Sequence, residues 1–525
     1  MKKNVLLLVF FLTVFICAPV FSQENAGTLQ GREDQLQQAR DYSLDQIFVI
    51  NSFEYIVEGY TRPFALNNKA EIYAGEEITG LSNLERFIRE KRQILYNERV
   101  LERVRIEYTI GEAGSDGKYP VDLLIYVKDT WNIIAIPRPQ YSSNTGFDIT
   151  IKARDYNFLG TMSPLRFDIG YQRDQDGRNF FSLMLDTDIP FRLFGYNWNL
   201  DFDHDYTYRP DSPLPHYYKN TTGISIDFPV RRTTLTVGFS ESFIYNQENP
   251  NRYKDPSYGY GNYQEGLYLE SKPFISWKIP AGFHYYDLGE VYYTPGLSVT
   301  FVHELSKWPL DDFRKGPFID FSHNMSFGRI DWVGNFQKGA SAIISNSWNY
   351  NFYHLRNDEN PWNTNITVKG TGHTIINNYV GISSRIMYRH WFFDYYHDEA
   401  GDVLRGILDN RVKANYMFSF NFDLNIRTVK FLPSEWNIGE KSRRFMRIFD
   451  FELHTVPFVD AALYNDPLNQ RVFGLENLLL TGGLELVVFP ARWRSLFLRV
   501  SYGRNFSLGP KRNASEIFIG TELHY

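Results

Sequence analysis

The chain has 525 residues, a net charge of −6 and 17% aromatic residues, including 36 Tyr and 43 Phe. This length allows two or three soluble domains, or one large barrel with a smaller domain attached. Charges of both signs are interspersed and no basic stripe accompanies the aromatics, so nucleic acid is not an expected partner. The mean hydropathy of −0.37 is still compatible with a barrel, because barrel strands alternate lipid-facing and lumen-facing side chains.

The N-terminus predicts a segment that is removed from the mature protein. A short basic start is followed by an apolar run over residues 5–15, and small residues then offer a cleavage site, so residues 1–22 are expected to be a signal peptide. The single cysteine, Cys17, lies in this segment, and the mature chain is therefore expected to contain no disulfide. Residues 23–45 are polar and rich in Gln, which is typical of a linker.

Residues 46–137 have the pattern of a small α/β domain. A capping box at residues 82–85 predicts the start of an amphipathic helix, and residues 104–108 and 121–127 are two β-rich segments after it. This order resembles a POTRA domain, the periplasmic module of BamA-type outer-membrane assembly proteins. The resemblance implies that extended peptides are captured by strand addition at a sheet edge.

Beyond residue 142 the sequence becomes a series of alternating segments of about ten residues separated by turn signals. Examples are Leu165–Tyr171, Thr234–Phe239 and Leu496–Tyr502. About seventeen such segments can be counted, and a barrel with both chain ends on one side needs an even number, so we expect sixteen strands. The predicted fold is mainly β: a 16-stranded transmembrane β-barrel over residues 142–525, preceded by the small α/β domain.

The end of the chain predicts the closing strand of this barrel. Residues 515–525 alternate, with Ile517, Leu523 and Tyr525 on the face expected to meet lipid. The pattern Gly520-x-x-Leu523-x-Tyr525 resembles the C-terminal signal by which outer-membrane barrels are recognised for assembly. A last strand that pairs with the first strand removes both edges of the sheet.

Two turn and strand motifs extend the resemblance to the BamA/TamA-like superfamily, which combines POTRA domains with a barrel of the bacterial surface antigen type. Asp155, Asn157 and Gly160 match the Asp-x-Asn-x-x-Gly turn at the start of these barrels. Phe458 and Asp460 match the Phe-x-Asp-x-Gly strand motif, although Ala462 replaces its glycine.

A third motif lies between them in the sequence, in a polar segment. Arg405 and Gly406 match the Arg-Gly-aromatic tip of the sixth extracellular loop, which in this family folds back into the lumen, although Ile407 replaces the aromatic residue. The resemblance implies that Arg405 pairs with Asp460 and that Gly406 allows the turn at the tip. The pair would anchor the loop and would not be catalytic.

By this resemblance the chain is expected to insert or export client polypeptides in the outer membrane of a bacterium, with its N-terminal domain in the periplasm. Its expected partners are outer-membrane lipid, client polypeptides and periplasmic accessory proteins, and no cofactor is implied. Two alternatives remain. One is a passive porin or lipid conduit, and the other is an outer-membrane enzyme.

The sequence contains no recognisable catalytic or metal-binding motif, so we expect neither an enzyme nor a metal site. Two acidic segments come nearest to such a site. The favoured interpretation is a solvated loop for the first and a lumen-facing or rim charge patch for the second. Their residues are His390, Asp394, His397, Asp398 and Glu399 in the first segment, and Asp201, Asp203, His204 and Asp205 in the second.

Overall fold

The computed structural model contains two compact units. One consists of residues up to Trp131 together with Leu159–Met162, and the other of Asn132–Phe158 and Ser163–Tyr525. Within the part of the chain that is described, no helix combines the length and apolar composition needed to cross a bilayer. The predicted signal peptide, the predicted linker and Tyr525 lie outside the described residues. The described residues are 46–142, 146–173, 177–211, 214–246, 266–285, 289–305, 315–392, 398–399, 403–407, 413–437, 439–465, 477–507, 515–520 and 523.

The N-terminal unit is a four-stranded sheet with two helices. Its strand order is β2-β1-β4-β3, in which β1 runs parallel to β4 and the other two pairs are antiparallel. Its elements are β1 (Ile47–Glu58), α1 (Pro63–Ala70), β2 (Glu77–Thr79), α2 (Leu81–Asn97), β3 (Leu101–Ile110) and β4 (Tyr119–Asp129).

Helix α2 begins earlier than its predicted capping box. Gly80, with a φ of 85°, is the N-cap, and its carbonyl accepts hydrogen bonds from the backbone N–H groups of Asn83 and Leu84. Ser82 therefore lies inside the helix and does not cap it, so the predicted capping box is wrong. The expected amphipathic character is present, because one face of α2 is buried against the sheet. The fully or largely buried residues of that face are Leu84, Ile88 and Leu95.

Asp129 closes the turn between β1 and α1. Its carboxylate accepts hydrogen bonds from the backbone N–H groups of Tyr60 (2.8 Å) and Thr61 (3.0 Å) and from the Thr61 hydroxyl (2.6 Å). We expect Asp129→Ala to lower the stability of this unit by about 1–3 kcal/mol, because two backbone donors lose their acceptor. Hydrogen exchange of the full chain should show faster exchange at Tyr60 and Thr61, whereas exchange in the Glu112→Ala control, which changes an exposed side chain, should stay unaltered.

The second unit is a closed antiparallel barrel of 18 strands. The strands up to the long loop are β5 (Ile133–Ser142), β6 (Gly146–Asp155), β7 (Leu165–Arg173), β8 (Asn179–Leu193), β9 (Tyr196–Tyr208), β10 (His216–Val230), β11 (Thr233–Tyr245), β12 (Leu267–Tyr285), β13 (Gly289–Glu304), β14 (Phe318–Val333), β15 (Phe336–Asn351), β16 (Trp362–Asn377) and β17 (Val380–Phe392), with helix α3 (Phe352–Arg356) after β15. The loop contains a short pair, β18 (Asp398–Glu399) and β19 (Lys413–Ala414). The remaining elements are β20 (Tyr416–Phe431), α4 (Glu440–Met446), β21 (Phe451–Tyr464), β22 (Leu478–Pro490), β23 (Leu498–Asn505) and β24 (Ser515–Gly520).

The predicted number of sixteen strands is wrong. The barrel begins with β5, at Ile133 rather than at residue 142, and β24 is the neighbour of β5 and not of the segment after residue 146. Pro137 and Pro139 concealed β5, because proline normally argues against a strand inside a sheet. A second strand was lost when the count of about seventeen segments was reduced to sixteen to give an even number.

The two faces of the last strands have opposite character. Leu486 on β22, Val500 on β23 and Ile519 on β24 point outward and are 40–45% exposed. Glu485 and Arg499, which alternate with them along the chain, point inward and are buried. The expected division into an apolar outer surface and a polar interior is therefore present.

This alternation does not extend to Leu523. Strand β24 ends at Gly520, and Leu523 packs against inward-facing Val456, Val487 and Phe489. The prediction that Leu523 shares the outward face of Ile517 is therefore wrong. A strand pattern read from sequence cannot detect the residue at which pairing with a neighbour stops.

Candidate functional site

The loop between β17 and β20 places its tip, residues 403–407, against the inward side of the barrel wall. Val403, Leu404 and Ile407 are all at most 4% exposed. Ile407, which stands in the position of the expected aromatic residue, is thus fully packed. The tip contacts an apolar group contributed by β17 and β20–β22 and by the end of the loop, which consists of Met387, Ala414, Met417, Ala462, Tyr464 and Leu479.

Arg405 lies beside Asp460, as the resemblance implied. The backbone N–H and Nε of Arg405 donate to Asp460 Oδ2 at 3.0 and 2.9 Å, and Nη2 donates to Oδ1 at 2.6 Å. The guanidinium carbon lies 3.7 Å from the ring centroid of Phe458. Asp460 is fully buried and Arg405 is 5% exposed, so this bidentate pair is well shielded from water.

Two further carboxylates complete the surroundings of Arg405. Nη2 also donates to Asp423 Oδ1 at 2.6 Å, and Nη1 lies 3.3 Å from Glu485 Oε1. Glu485 in turn lies 3.3 Å from Nη1 of Arg499. Three buried carboxylates thus share two arginines, and removal of Arg405 would leave a strongly unfavourable excess of buried negative charge.

The sequence prediction missed Asp423, Glu485 and Arg499. Each is a charged residue at an inward position of an alternating, otherwise apolar strand, which is a recognisable signal in a barrel sequence. What the sequence does not contain is the register that brings β20, β22 and β23 to the same level as the loop tip.

A second hydrogen-bond network, made by Arg385 and Asn421, holds the other side of the tip. The Val403 carbonyl accepts hydrogen bonds from Arg385 Nη2 at 2.9 Å and from Asn421 Nδ2 at 2.8 Å. Arg385 Nε also donates to Asn421 Oδ1 at 2.9 Å. Because Arg385 and Asn421 lie on adjacent strands, the backbone of the tip is tied to β17 and β20 independently of the charges around Arg405.

Gly406 connects the tip to the last two strands. Its φ of 84° favours glycine, and a Cβ at this position would lie 2.6 Å from the Gly503 carbonyl carbon on β23. Its backbone N–H donates to Glu516 Oε2 on β24 at 3.0 Å. The contact between Gly406 and Gly503 is reciprocal, since a Cβ on Gly503 would lie 2.7 Å from Gly406 N.

The predicted opening motif forms a tight turn after β6. The backbone N–H of Asn157 donates to Asp155 Oδ1 at 3.0 Å, and the Phe158 N–H donates to the Ser163 carbonyl at 3.0 Å. Asn157 is fully buried, and Gly160 has a φ of 72°. These residues shape a turn, and none of the hydrogen bonds described for them involves Arg405.

The seam between β5 and β24 is unusual in its backbone composition. Strand β5 has 10 residues but β24 has only 6. The pairing of β5 with β6 runs without interruption past Pro137 and Pro139. Since proline has no N–H to donate to a ladder, both proline nitrogens must face the other neighbour, β24. Two potential donors are therefore missing from the seam edge of β5.

Side chains bridge the seam on its inner side. Arg138 Nε donates to the Ile519 carbonyl at 3.4 Å. The Phe518 ring lies 5.3 Å from the Arg138 guanidinium and 4.2 Å from that of Arg499. A Cβ on Gly520 would lie 2.4 Å from the Phe518 ring, so this glycine makes room for the ring at the end of β24.

The hairpin that joins β14 and β15, residues 329–338, forms a second closure inside the barrel. We call it the inner hairpin. Two glycines with positive φ, Gly328 (95°) and Gly339 (118°), lie at its base, where a Cβ would collide with the facing backbone. Its side chains cross the lumen to β21, β22 and the turn after β22. The contacts are Trp332 with Phe497 (ring centroids 5.8 Å apart), Phe336 with His454 (4.7 Å) and Asn335 Nδ2 with Glu452 Oε2 (3.1 Å).

The two acidic segments do not gather into a metal centre in the described part of the chain. The His390 ring stacks on Phe392 at 3.8 Å and shares a hydrogen bond of 2.9 Å with the Tyr388 hydroxyl. Asp394 and His397 lie outside the described residues. Asp201, Asp203 and Asp205 follow one another on one face of β9, in line with the predicted charge patch.

The sequence matches no protein-family model and no curated protein. Among solved structures, the chain is similar to BamA from Haemophilus ducreyi lacking POTRA domains 1–3, at 15% identity over 90% of this chain and 84% of that chain, with a TM-score of 0.37. It is also similar to CdiB from Acinetobacter baumannii (14% identity, 90% and 74% covered, TM-score 0.45) and CdiB from Escherichia coli (10% identity, 96% and 92% covered, TM-score 0.41). The predicted resemblance to BamA-type proteins is confirmed as a structural similarity. These values are too low to carry the function, for which the geometry of the site is the guide.

Proposed function

We propose that this protein is an outer-membrane barrel that inserts or exports client polypeptides, with a mechanical rather than a catalytic role. One observation carries the proposal: the tip of the lumen loop is bonded to the closing strands of the barrel. Gly406 donates to Glu516 on β24 and packs against Gly503 on β23. Movement of the loop tip would therefore disturb the seam between β5 and β24, and opening of this seam would disturb the loop tip.

The surface of the barrel supports a location in a membrane. Large apolar side chains alternate outward along neighbouring strands, and a soluble protein rarely exposes so extended an apolar surface. Leu484, Val459 and Ile517 are examples, with 44–52% exposure. In the outer membrane of a bacterium, the end of the barrel at which β5 begins and β24 finishes would be the periplasmic end.

The N-terminal unit supports capture of a client strand. Strand β3 lies at one edge of the sheet and has 10 residues. An edge strand presents main-chain groups to which an extended peptide can add, with little demand on the sequence of the peptide. In the proposed cycle a client is held there before it reaches the barrel.

The seam between β5 and β24 supports a lateral route for the client. Within the described residues β24 contributes only six residues to it, and two positions of β5 have no N–H to donate. A client strand could pair temporarily with either edge once the seam parts. This step would need no nucleotide and no redox group.

Covalent closure of the seam should block the activity. We expect a cysteine pair at Arg138 and Phe518, joined by a short thiol cross-linker, to reduce client assembly at least about tenfold, since strands that cannot part cannot admit a client. The matched control joins Ser501 and Phe518, which are register partners on β23 and β24 and do not span the seam. Client assembly is measured in cells before and after cleavage of the cross-link. Normal assembly with the seam joined would exclude the lateral route.

The alternative of a passive porin or lipid conduit has less support. The loop tip lies against the inward side of the wall, the inner hairpin reaches across the lumen, and each is held by buried contacts. A large and steady ion conductance that is unchanged by deletion of residues 405–407 would favour the conduit.

We also propose that further periplasmic proteins bind this chain as accessory partners. Their co-purification with the intact chain would test this.

A further inference from the structure

The connection between β20 and β21, described at residues 432–437 and 439–450, forms a surface element at the proposed periplasmic end of the barrel. It contains the turn Pro433–Glu435, helix α4 and a further helical turn, Arg447–Phe449. Asp450 fixes its two ends together, because its carboxylate accepts hydrogen bonds from the backbone N–H of Ser434 at 3.0 Å and from the Ser434 hydroxyl. The two ends of the element are therefore held together next to the barrel strands that they join.

Aromatic side chains of this element are strongly exposed. Trp436, Phe445 and Phe449 are 50–57% accessible, and the rings of Phe445 and Phe449 lie 5.6 Å apart. Trp436 also packs edge-on against Phe431, at 5.6 Å. Since Phe431 lies on the outward face of β20, the aromatic group continues directly from the apolar outer surface of the barrel.

Exposed basic side chains accompany these aromatics. The ten residues 440–449 contain four basic residues and a single acidic one, Glu440. Within the described residues, Arg443 and Arg444 form no ion pair. A cluster of cations beside exposed aromatic rings is the composition of a helix that lies on an anionic membrane surface. The four basic residues are Lys441, Arg443, Arg444 and Arg447.

We propose that residues 436–437 and 439–449 form a docking surface for the anionic phospholipid headgroups of the membrane leaflet that faces the periplasm. The aromatic rings would lie at the level between headgroups and acyl chains, where Trp and other aromatics are favoured, and the arginines would contact phosphate groups. The proposal rests on the proposed outer-membrane location. Phospholipid is favoured over a protein partner because the surface is continuous with the lipid-facing side of β20.

The test uses the full chain, with Cys17 replaced by Ser, inserted into phospholipid vesicles. An environment-sensitive dye is attached to a single cysteine at residue 445, and its quenching by lipids brominated in the acyl chains is measured. A second sample carries the dye at residue 459, on the outward face of β21, and reports whether the barrel itself is inserted. Vesicles of phosphatidylcholine are compared with vesicles that also contain phosphatidylglycerol.

We expect the dye at residue 445 to be quenched, and more strongly when phosphatidylglycerol is present. Arg443→Glu combined with Arg444→Glu should weaken this quenching. The ratio of docked to undocked helix that the quenching reports should fall at least about fivefold for each arginine changed. The matched control, Arg231→Glu with Arg232→Glu, alters an exposed basic pair in another turn at the same end of the barrel and should leave this quenching unchanged.

Quenching at residue 459 without quenching at residue 445 would overturn the proposal, because the barrel would be inserted while the surface stayed in water. Equal quenching with and without phosphatidylglycerol would overturn the choice of an anionic headgroup. Client assembly is measured separately, so loss of docking with normal assembly would reject this surface without rejecting the proposed function.

Discussion

Arg405→Ala is expected to reduce client assembly by at least about tenfold while the barrel stays folded. The change leaves Asp460, Asp423 and Glu485 buried beside Arg499 alone, and breaking such a buried charge pair costs about 3–5 kcal/mol. The loop tip can avoid this cost only by leaving its place or by admitting water. Client assembly in cells that depend on the variant is the primary measurement.

Two comparisons separate this effect from general damage. Arg405→Lys retains a cation but cannot reproduce the bidentate bonds to Asp460, so we expect it to have intermediate activity. Arg504→Ala removes an exposed arginine from the neighbouring strand β23 and should have no effect. Retention of the compact barrel is checked by the migration of unheated protein on a denaturing gel. If Arg405→Ala assembles clients normally, the proposed role of the loop is wrong.

Gly503→Ala is expected to displace the same loop without touching its charges. A Cβ at this position would lie 2.7 Å from Gly406 N and 2.8 Å from Gly406 Cα, and neither backbone atom can rotate away. Overpacking of this kind costs about 1–3 kcal/mol, so either the tip or β23 must move. We expect client assembly to fall severalfold, and a cysteine at residue 404 to react faster with a water-soluble thiol reagent.

Gly370→Ala is the matched control, because no atom lies within 4 Å of the added methyl group on β16. It should leave both assembly and thiol reactivity at their original values. The double variant Gly503→Ala with Arg405→Ala should be little worse than Arg405→Ala alone, since both changes release one element and their effects are not additive. Full additivity would indicate that β23, rather than the loop tip, is the part that moves.

Local pattern was sufficient to predict most of the architecture. Alternation in segments such as Leu498–Asn505 predicts strands with an apolar face, because a period of two is a property of the extended chain itself. The same reasoning failed at Pro137 and Pro139, where a strand persists because its proline nitrogens face the seam. It also failed at Leu523, since the end of a strand depends on the neighbouring strand.

The candidate site was predicted only in part for a related reason. Arg405 and Asp460 were found because they lie in motifs that resemble known ones. Alternation places Glu516 on the face opposite Ile517, but nothing local indicates that it accepts the Gly406 N–H across 110 residues of sequence. Such contacts depend on the closure of the whole barrel and on register, which a pattern of two-residue period leaves undetermined.

The inner hairpin has a consequence for the proposed passage of clients. It is held by aromatic contacts to His454 and Phe497 and by Asn335, none of which involves Arg405 or its carboxylates. Withdrawal of the loop tip would therefore leave a separate obstruction in the pore. In the proposed function, the barrel would stay closed to small solutes while a client strand entered through the side of the wall, so passage of large polypeptides would not make the membrane leaky.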